Sequence, residues 1–380
     1  MKKVLLGLSG GVDSAVSAYI LKEQGYDVTC CFMRNWDAFA NNDILGNPTI
    51  KDDVCPQEQD YLDACKVAEQ LDLSIIRIDF VKEYWDHVFT SFLDEYKKGR
   101  TPNPDILCNK YIKFDAFFNY AINNNFDYVA TGHYANIKVI DNEYCLTRGK
   151  DNNKDQTYFL SQISSSVLDK VLFPIGDLEK YEVRDIAVKN NLYVAKKKDS
   201  TGICFIGERN FKKFLQNYLP AKSGDIVDIN TKQVLGRHEG VLYYTVGQRK
   251  GLGIGGTMGP WFVIGKDVNK NLLFVSNKDE DSWLKSNSCL VTNVNWFNDL
   301  PTEVLDCTAK FRYRQKDEQV KVKIINDSSC IVIYDQYVSA VTCGQECVFY
   351  NNEVCLGGGV IDKVFINELD INERIENEYK

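Results

Sequence analysis

The feature that most constrains this chain is a short apolar run, residues 4–8, delivered straight into Ser9-Gly10-Gly11-Val12-Asp13-Ser14, with an amphipathic stretch after it. A buried strand, a glycine turn and a helix in that order form one unit of a parallel sheet. Such a turn is an anion site: glycines let backbone N–H groups face an oxyanion, the helix N-terminus adds partial positive charge, and Ser9 and Ser14 can donate hydroxyl hydrogen bonds. The Gly-Lys-Ser/Thr ending of a Walker A loop is missing, and the pattern is not G-x-G-x-x-G. Asp13 places a carboxylate beside the expected phosphates, which calls for a magnesium ion or a proton between them.

The alternation continues through about residue 135. Strands are predicted at 4–8, 27–33, 74–80 and 127–132, and helices at 12–24, 56–71 and 82–97, a doubly wound α/β pattern. After about residue 208 the texture changes to short runs (225–229, 240–246, 261–264, 272–275) separated by Gly, Asn and Asp, which predict small antiparallel sheets. Further strands are expected at 290–294, 304–311, 319–325, 330–334 and 346–350, making the last part a β-barrel, and the polar tail 367–380 is expected to fray. The domain reading is therefore 1–208 for the nucleotide-binding catalytic part, 209–280 for a small central β-rich part and 281–380 for the barrel, in a chain of 380 residues.

Composition excludes several classes. No apolar run approaches the roughly 18 residues of a membrane helix, and the N-terminal apolar stretch is too short for a signal peptide, so a cytoplasmic, membrane-free protein is expected. Thirteen cysteines are odd in number and form no C-x-x-C, and there are three histidines, so a protein-only metal site is not expected. The net charge of -8 argues against a nucleic-acid partner until its distribution is considered. Residues 196–266 hold twelve Lys and Arg against five Asp and Glu, a basic segment suited to phosphates. Within it, 251–256 contains a G-x-G-x-x-G by letters but follows Gln248-Arg249-Lys250 rather than a parallel strand, which favours a basic loop over a dinucleotide site.

Two cysteines have unusual neighbours. Cys108 lies between Thr101-Pro102-Asn103-Pro104-Asp105-Ile106-Leu107 and a helical pattern opening at Asn109, and Cys204 follows Asp199 and the lysines 196–198. A helix N-terminus and nearby lysines predict lowered pKa values for both. Cys30, Cys31, Cys145, Cys307 and Cys330 sit in apolar or alternating patterns and read as buried hydrophobes.

Six segments then combine: SGGVDSA at 9–15, TPNPDILCNKYIKF at 101–114, ATGHYA at 130–135, KDQTYFL at 154–160, DSTGICFIGER at 199–209 and YTVGQRKGLGIGG at 244–256. In this order they resemble the bacterial tRNA-specific 2-thiouridylases, adenylating enzymes with a pyrophosphatase-type SGGxDS loop. The resemblance implies ATP with Mg2+ at Gly7, Leu8, Ser9, Gly10, Gly11, Val12, Asp13, Ser14, Met33 and Gly132. It implies adenylation of O2 of the wobble uridine of tRNAs for lysine, glutamate and glutamine, with sulfur arriving from a carrier protein as a persulfide on Cys204. Cys108 would be the second thiol and nucleophile, a transient Cys108–Cys204 disulfide would close the turnover, and Asp13 would take part in catalysis. Asn103, Pro104, Asp105 and His133 would meet the extruded base. Lys154, Asp155, Gln156, Arg312, Tyr313 and Gln345 would meet tRNA, and a monomer is expected. Alternatives stay open at this point: an iron–sulfur cluster on the thiols, another adenylating enzyme such as a lysidine synthetase, or a tRNA-binding sulfur-relay protein without turnover.

Overall fold

The structure is a computed structural model that describes every residue except 51–54, 200, 201, 205, 208, 221, 256–259, 278–280 and 299–303, and the side chains of 281 and 282. The expected domain limits at 208 and 280, parts of the motifs holding Ser200, Thr201 and Phe205, and Gly256 of the glycine loop therefore lie outside the described residues.

Strands β1 (Lys3–Gly7), β2 (Asp27–Arg34), β3 (Ser74–Asp79) and β4 (Tyr128–Ala130) form a parallel sheet, joined at the far edge by Val171–Leu172, in the spatial order β3, β2, β1, β4 and then that edge strand. Val4, Leu5 and Leu6 alternate between two hydrophobic clusters, because helices cover both faces of β1 and neither face meets water. Strand order reverses between β1 and β4. The crevice at their carboxyl ends is where such sheets bind ligands, and both Ser9–Ser14 and Thr131–Tyr134 leave the sheet there.

Past residue 208 the chain is mainly strand, as its texture predicts, with short helices at Phe211–Gln216 and Asp281–Leu284, and it departs from the expected elements at 240–246 and in the tail. The run 240–246 is a turn with a 3-10 helix at Val241–Tyr243 rather than a strand. Val241, Tyr243 and Tyr244 are all buried against the cluster under the N-terminal sheet, so the side chains do not alternate between core and solvent. The central sheet is built instead from Phe262–Asp267, Leu272–Ser276, Gly224–Asp228 and Val234–His238, adjacent in that order, and it is mixed rather than antiparallel as expected, because Leu272–Ser276 and Gly224–Asp228 run parallel. The tail does not fray: Ile371–Tyr379 is a helix. Its Ile375 is buried over Gly265, where a Cβ would stand 2.5 Å from the Ile375 Cδ1, and Tyr379 meets Phe274 ring to ring at 5.0 Å. Ile371, Ile375 and Tyr379 share one face at a spacing of four, and burying such an isoleucine contributes about 1.5–3 kcal/mol.

The C-terminal strands close on themselves. Lys285–Trp296 pairs with both Ser329–Ser339 and Val354–Ile366, which completes a six-stranded antiparallel barrel with Val304–Lys310, Glu318–Asn326 and Glu346–Asn351. A hairpin from the N-terminal part, Ala135–Ile140 with Glu143–Arg148, pairs onto this sheet through Thr147 and Val354. The barrel is thus fastened to the segment that follows the crevice.

Candidate active site

The turn after β1 is shaped by glycine and serine. Gly10 has φ +74, and a Cβ there would lie 2.2 Å from the Asp60 carbonyl oxygen. Gly11 caps the helix Val12–Glu23 without a side-chain hydrogen bond, so no capping side chain occupies the first N–H groups of the helix. The Ser9 and Ser14 hydroxyls stand 3.1 Å apart, and Ser14 Oγ donates to the Gly11 carbonyl at 3.1 Å. Gly132 presses on this turn from β4, where a Cβ would be 2.9 Å from Ser14 N. Gly7 faces the Met33 Cε at the base of the crevice, whereas Leu8 is buried beneath the loop.

Asp13 does not face an open cavity alone. Lys180 Nζ donates to both carboxylate oxygens at 2.7 and 2.9 Å, and the Tyr134 hydroxyl donates to Oδ1 at 2.8 Å. The same lysine meets Asp199 at 2.9 Å. Asp199 also pairs with Lys154 and Arg184, and although partial burial works the other way, the lysines hold its carboxyl well below the usual range. The first residue of the Cys204 segment is therefore tied to the phosphate loop. Lys197 reaches the loop too, donating to the Gly10 carbonyl at 3.0 Å and pairing with Asp60 and Asp63.

Folding brings the two thiols, 96 positions apart, to an Sγ–Sγ distance of 3.8 Å. Cys108 does not sit at a helix N-terminus: the helix runs Pro104–Cys108, capped by Asn103 Oδ1 on Asp105 N, and Cys108 ends it. Cys108 is fully buried, so desolvation pushes its thiol well above the ordinary value, and the expected lowering is corrected to a rise. Cys204 moves the opposite way. The hydrogen bond donated by the Cys108 thiol and the charge of Lys113 outweigh desolvation, and its pKa is lowered. The stabilising cation is Lys113, from a different element, not the lysines 196–198.

Lys113 is turned inward by a wide π-type stretch, Asn109–Ala116, broken at Phe114. Burial pulls its pKa down, but Cys204, Cys108 and Asp105 outweigh that and keep it charged. Its Nζ lies 3.3 Å from His133 Nε2, and His133 Nδ1 is 2.7 Å from Thr131 Oγ1. Burial and the Lys113 charge push the His133 pKa well down, so the ring is neutral, with its proton on Nδ1 toward Thr131 and Nε2 accepting from the lysine. Asp105 accepts the Cys204 backbone N–H at 3.0 Å, and burial raises its pKa. The tetrapeptide Thr131–Tyr134 spans both halves of the site: Gly132 and Tyr134 touch the phosphate loop, and His133 touches the cation beside the thiols.

The Cys204 segment is anchored at its other end as well. Arg209 makes a buried ion pair with Asp43 at 2.8 Å, Trp36 Nε1 donates to Asp43 at 3.1 Å, and the Tyr84 hydroxyl donates to the Cys204 carbonyl at 3.0 Å. Lys113, Lys180, Asp43 and Arg209 were missed as site residues. The letters KF after the first cysteine motif and R at the end of the second were the available signals, but pairing across the fold is invisible in a linear reading.

The residues expected to touch RNA divide in two. Arg312 is exposed, donating to the Ala340 carbonyl at 3.2 Å, and Tyr313 is half-buried against Phe159 with ring centroids 4.4 Å apart. Lys154, Asp155 and Gln156 are engaged inside the protein. Lys154 pairs with Asp199, buried Asp155 accepts from Thr157 and lies 3.6 Å from Arg148, and Gln156 Oε1 accepts the Tyr134 N–H. Gln345 Nε2 donates to the Thr101 carbonyl at 2.6 Å. Among the described residues no group of three or more His, Cys, Asp or Glu is gathered to hold a metal, and no helix is long and apolar enough to cross a membrane.

Three family profiles match in succession: the tRNA methyl transferase HUP domain over residues 2–208, the tRNA methyl transferase PRC-barrel domain over 212–277 and the aminomethyltransferase beta-barrel domain over 286–361. The tRNA-specific 2-thiouridylase MnmA of Mycoplasma mycoides subsp. mycoides SC is 58% identical over 371 residues, 96% of this chain and 99% of that protein. The protein of the same name from Staphylococcus epidermidis is 53% identical over 372 residues, covering 96% of each chain. Among solved structures, an NMN synthetase from Francisella tularensis aligns over 52% of this chain and 66% of its own at 18% identity, with a TM-score of 0.31.

Proposed function

The chain belongs to the tRNA-specific 2-thiouridylase family, and from that premise we propose how its own residues carry out an ATP-dependent tRNA-uridine 2-sulfurtransferase reaction. The observation that supports the assignment of roles is the 3.8 Å thiol pair, in which the Cys204 pKa is lowered and the Cys108 pKa raised, joined through Thr131–Tyr134 to the glycine turn after β1.

The turn fits the phosphates of ATP. Gly10, Gly11, Val12 and the two serines offer donors, and the backbone of Gly132 lies too close for any side chain between it and the loop. Asp13 would hold magnesium, which would supply charge neutralisation to the phosphates, and Lys180 holds that carboxylate in place through contacts to both of its oxygens. Gly7 and Met33 shape the floor under the nucleotide.

The wobble uridine, extruded from its stack, enters beside Asn103, Pro104, Asp105 and His133. Adenylation of its O2 makes AMP the leaving group. Cys204, loaded as a persulfide by a sulfur-carrier protein, presents its outer sulfur to C2; the new C–S bond forms as the C2–O bond to AMP breaks. Cys108 then attacks Cys204 Sγ, breaking the bond between Sγ and the outer sulfur. The sulfur stays on C2 as the thiocarbonyl, and the two electrons it needs come from the Cys108–Cys204 disulfide that forms. Lys113 changes partner during this sequence. Once Cys204 is covalently occupied it no longer carries negative charge, and the same ammonium favours the thiolate of Cys108.

Arg312 and Tyr313 present a cation and a ring to tRNA of the lysine, glutamate and glutamine type, and the protein acts as a cytoplasmic monomer. His133, with Nε2 engaged by Lys113 and Nδ1 by Thr131, supports a role at the base rather than at a metal. The test is incubation with ATP, magnesium, a persulfide donor and unmodified tRNA, followed by nucleoside analysis. Wild type yields 2-thiouridine with AMP and pyrophosphate; Cys204→Ser and Cys108→Ser yield none. Thiolation by both variants at the wild-type rate would remove the two-thiol mechanism.

A further inference from the structure

The segment Thr101–Lys110 carries the base pocket and one thiol, yet its anchorage comes from the far end of the chain. At one end, Thr101 N donates to the Cys343 carbonyl at 3.0 Å, and Gln345 Nε2 donates to the Thr101 carbonyl at 2.6 Å. Gly344, between them, has φ +90 and lies so close that a Cβ would be 2.9 Å from Thr101 N. Both backbone polar groups of Thr101 are thus taken by a three-residue turn of the barrel. At the other end, Lys110 Nζ donates to Gln162 Oε1 at 3.0 Å, and the Gln162 amide donates to the Gly358 and Asn293 carbonyls of the barrel at 2.8 and 3.1 Å. Between these two ends lie Asn103 capping Asp105, Asp105 accepting the Cys204 N–H, and Cys108 donating to Cys204.

We propose that Gln345 is a positioning residue for sulfur transfer: by holding the Thr101 carbonyl it fixes Asp105 and Cys108 against Cys204, so that the barrel's seat on the catalytic domain sets the geometry of the thiol pair. The physical reason is leverage over a short path. Three residues separate Thr101 from Asp105, and two of them, Pro102 and Pro104, restrict the backbone, so a shift at Thr101 is passed on rather than absorbed. The hydrogen bonds that favour the Cys204 thiolate are directional, and a displacement of about 1 Å forfeits most of each. The inference rests on the thiol-pair reading above and extends it to a residue that touches neither thiol. A purely RNA-contacting Gln345 would leave the thiols as they are.

The experiment compares wild type, Gln345→Glu, which keeps the shape but cannot donate to a carbonyl, and Gln345→Lys, which restores a donor. Two quantities are read: kcat and KM for tRNA in the thiolation assay, and the pH profile of Cys204 alkylation by iodoacetamide, resolved by site with mass spectrometry and without tRNA present. The proposal expects kcat to fall about tenfold in Gln345→Glu with KM within twofold, the Cys204 midpoint to rise by about one pH unit, and Gln345→Lys to recover part of both. Thermal midpoints of the three proteins, matched within a few degrees, show that the barrel is folded. A Gln345→Glu protein with a raised KM, an unchanged kcat and a wild-type alkylation profile overturns the proposal while leaving the thiol pair standing. A wild-type profile with no lowered Cys204 midpoint overturns both.

Discussion

The cysteines of the barrel and Cys204 at the sheet crevice experience opposite electrostatics. In the barrel, Cys307, Cys330 and Cys347 lie inside an apolar cluster, where desolvation is the dominant influence and each thiol is pushed up, Cys307 to about 12. At the sheet crevice Cys204 is half-buried, yet its pKa falls, because a donating thiol and the Lys113 ammonium face it. Burial alone makes a cysteine inert, and the same burial around a fixed cation makes it reactive. Cys108 shows that position matters within a few ångströms: it lies beside the same cation but supplies the hydrogen bond instead of receiving it, and burial together with that bond raises its pKa.

The comparison breaks most visibly by exchanging the thiols for hydroxyls. Cys204→Ser is expected to lose all thiolation, at least a thousandfold, while ATP still binds; retention of even a tenth of the rate would contradict the assignment. Next is Lys113→Met, which removes the ammonium and leaves both sulfurs. Cys204 alkylation, read at pH values below a free thiol's usual titration, should slow at least tenfold, and thiolation should fall in proportion. In wild type the sign follows from the lowered value: the thiolate persists below the ordinary thiol range, and activity falls as pH drops through that lowered midpoint. Gly132→Ala affects neither thiol. Its methyl would press on Ser14 N at 2.9 Å, so the KM for ATP should rise several-fold while the alkylation profile of Cys204 stays put. The smallest effect is expected in the barrel, where Cys330→Ala should cost about 1 kcal/mol of stability by denaturant titration and leave thiolation within twofold.

The parallel sheet was legible because its strands are apolar on both faces and its turns carry glycine, so residues 4–8, 27–33 and 74–80 match β1, β2 and β3 within a residue or two at each end. The phosphate turn and the two thiols were legible as local patterns. Less visible were pairings that depend on the whole fold. Val354–Ile366 is the longest strand of the barrel, yet it contains Gly357, Gly358 and Gly359; a Cβ at Gly357 would lie 1.9 Å from the Asn295 carbonyl oxygen, so close strand packing, not turn formation, accounts for glycine there. The tail helix has only three apolar residues on one face, too few to stand out against its charges. Lys113 was read as a lysine near Cys108 in sequence, and only the π-type stretch at 109–116 turns it onto Cys204, which lies in another segment altogether.

The central claim is that two thiols act as one unit beside the nucleotide turn. The most direct measurement is a single turnover of enzyme loaded with one persulfide, mixed with excess ATP, magnesium and tRNA, quenched with an alkylating agent and read by mass spectrometry. The account predicts one 2-thiouridine per enzyme together with one Cys108–Cys204 disulfide, both appearing at the same rate. Thiolated tRNA accompanied by two fully alkylated cysteines would contradict it.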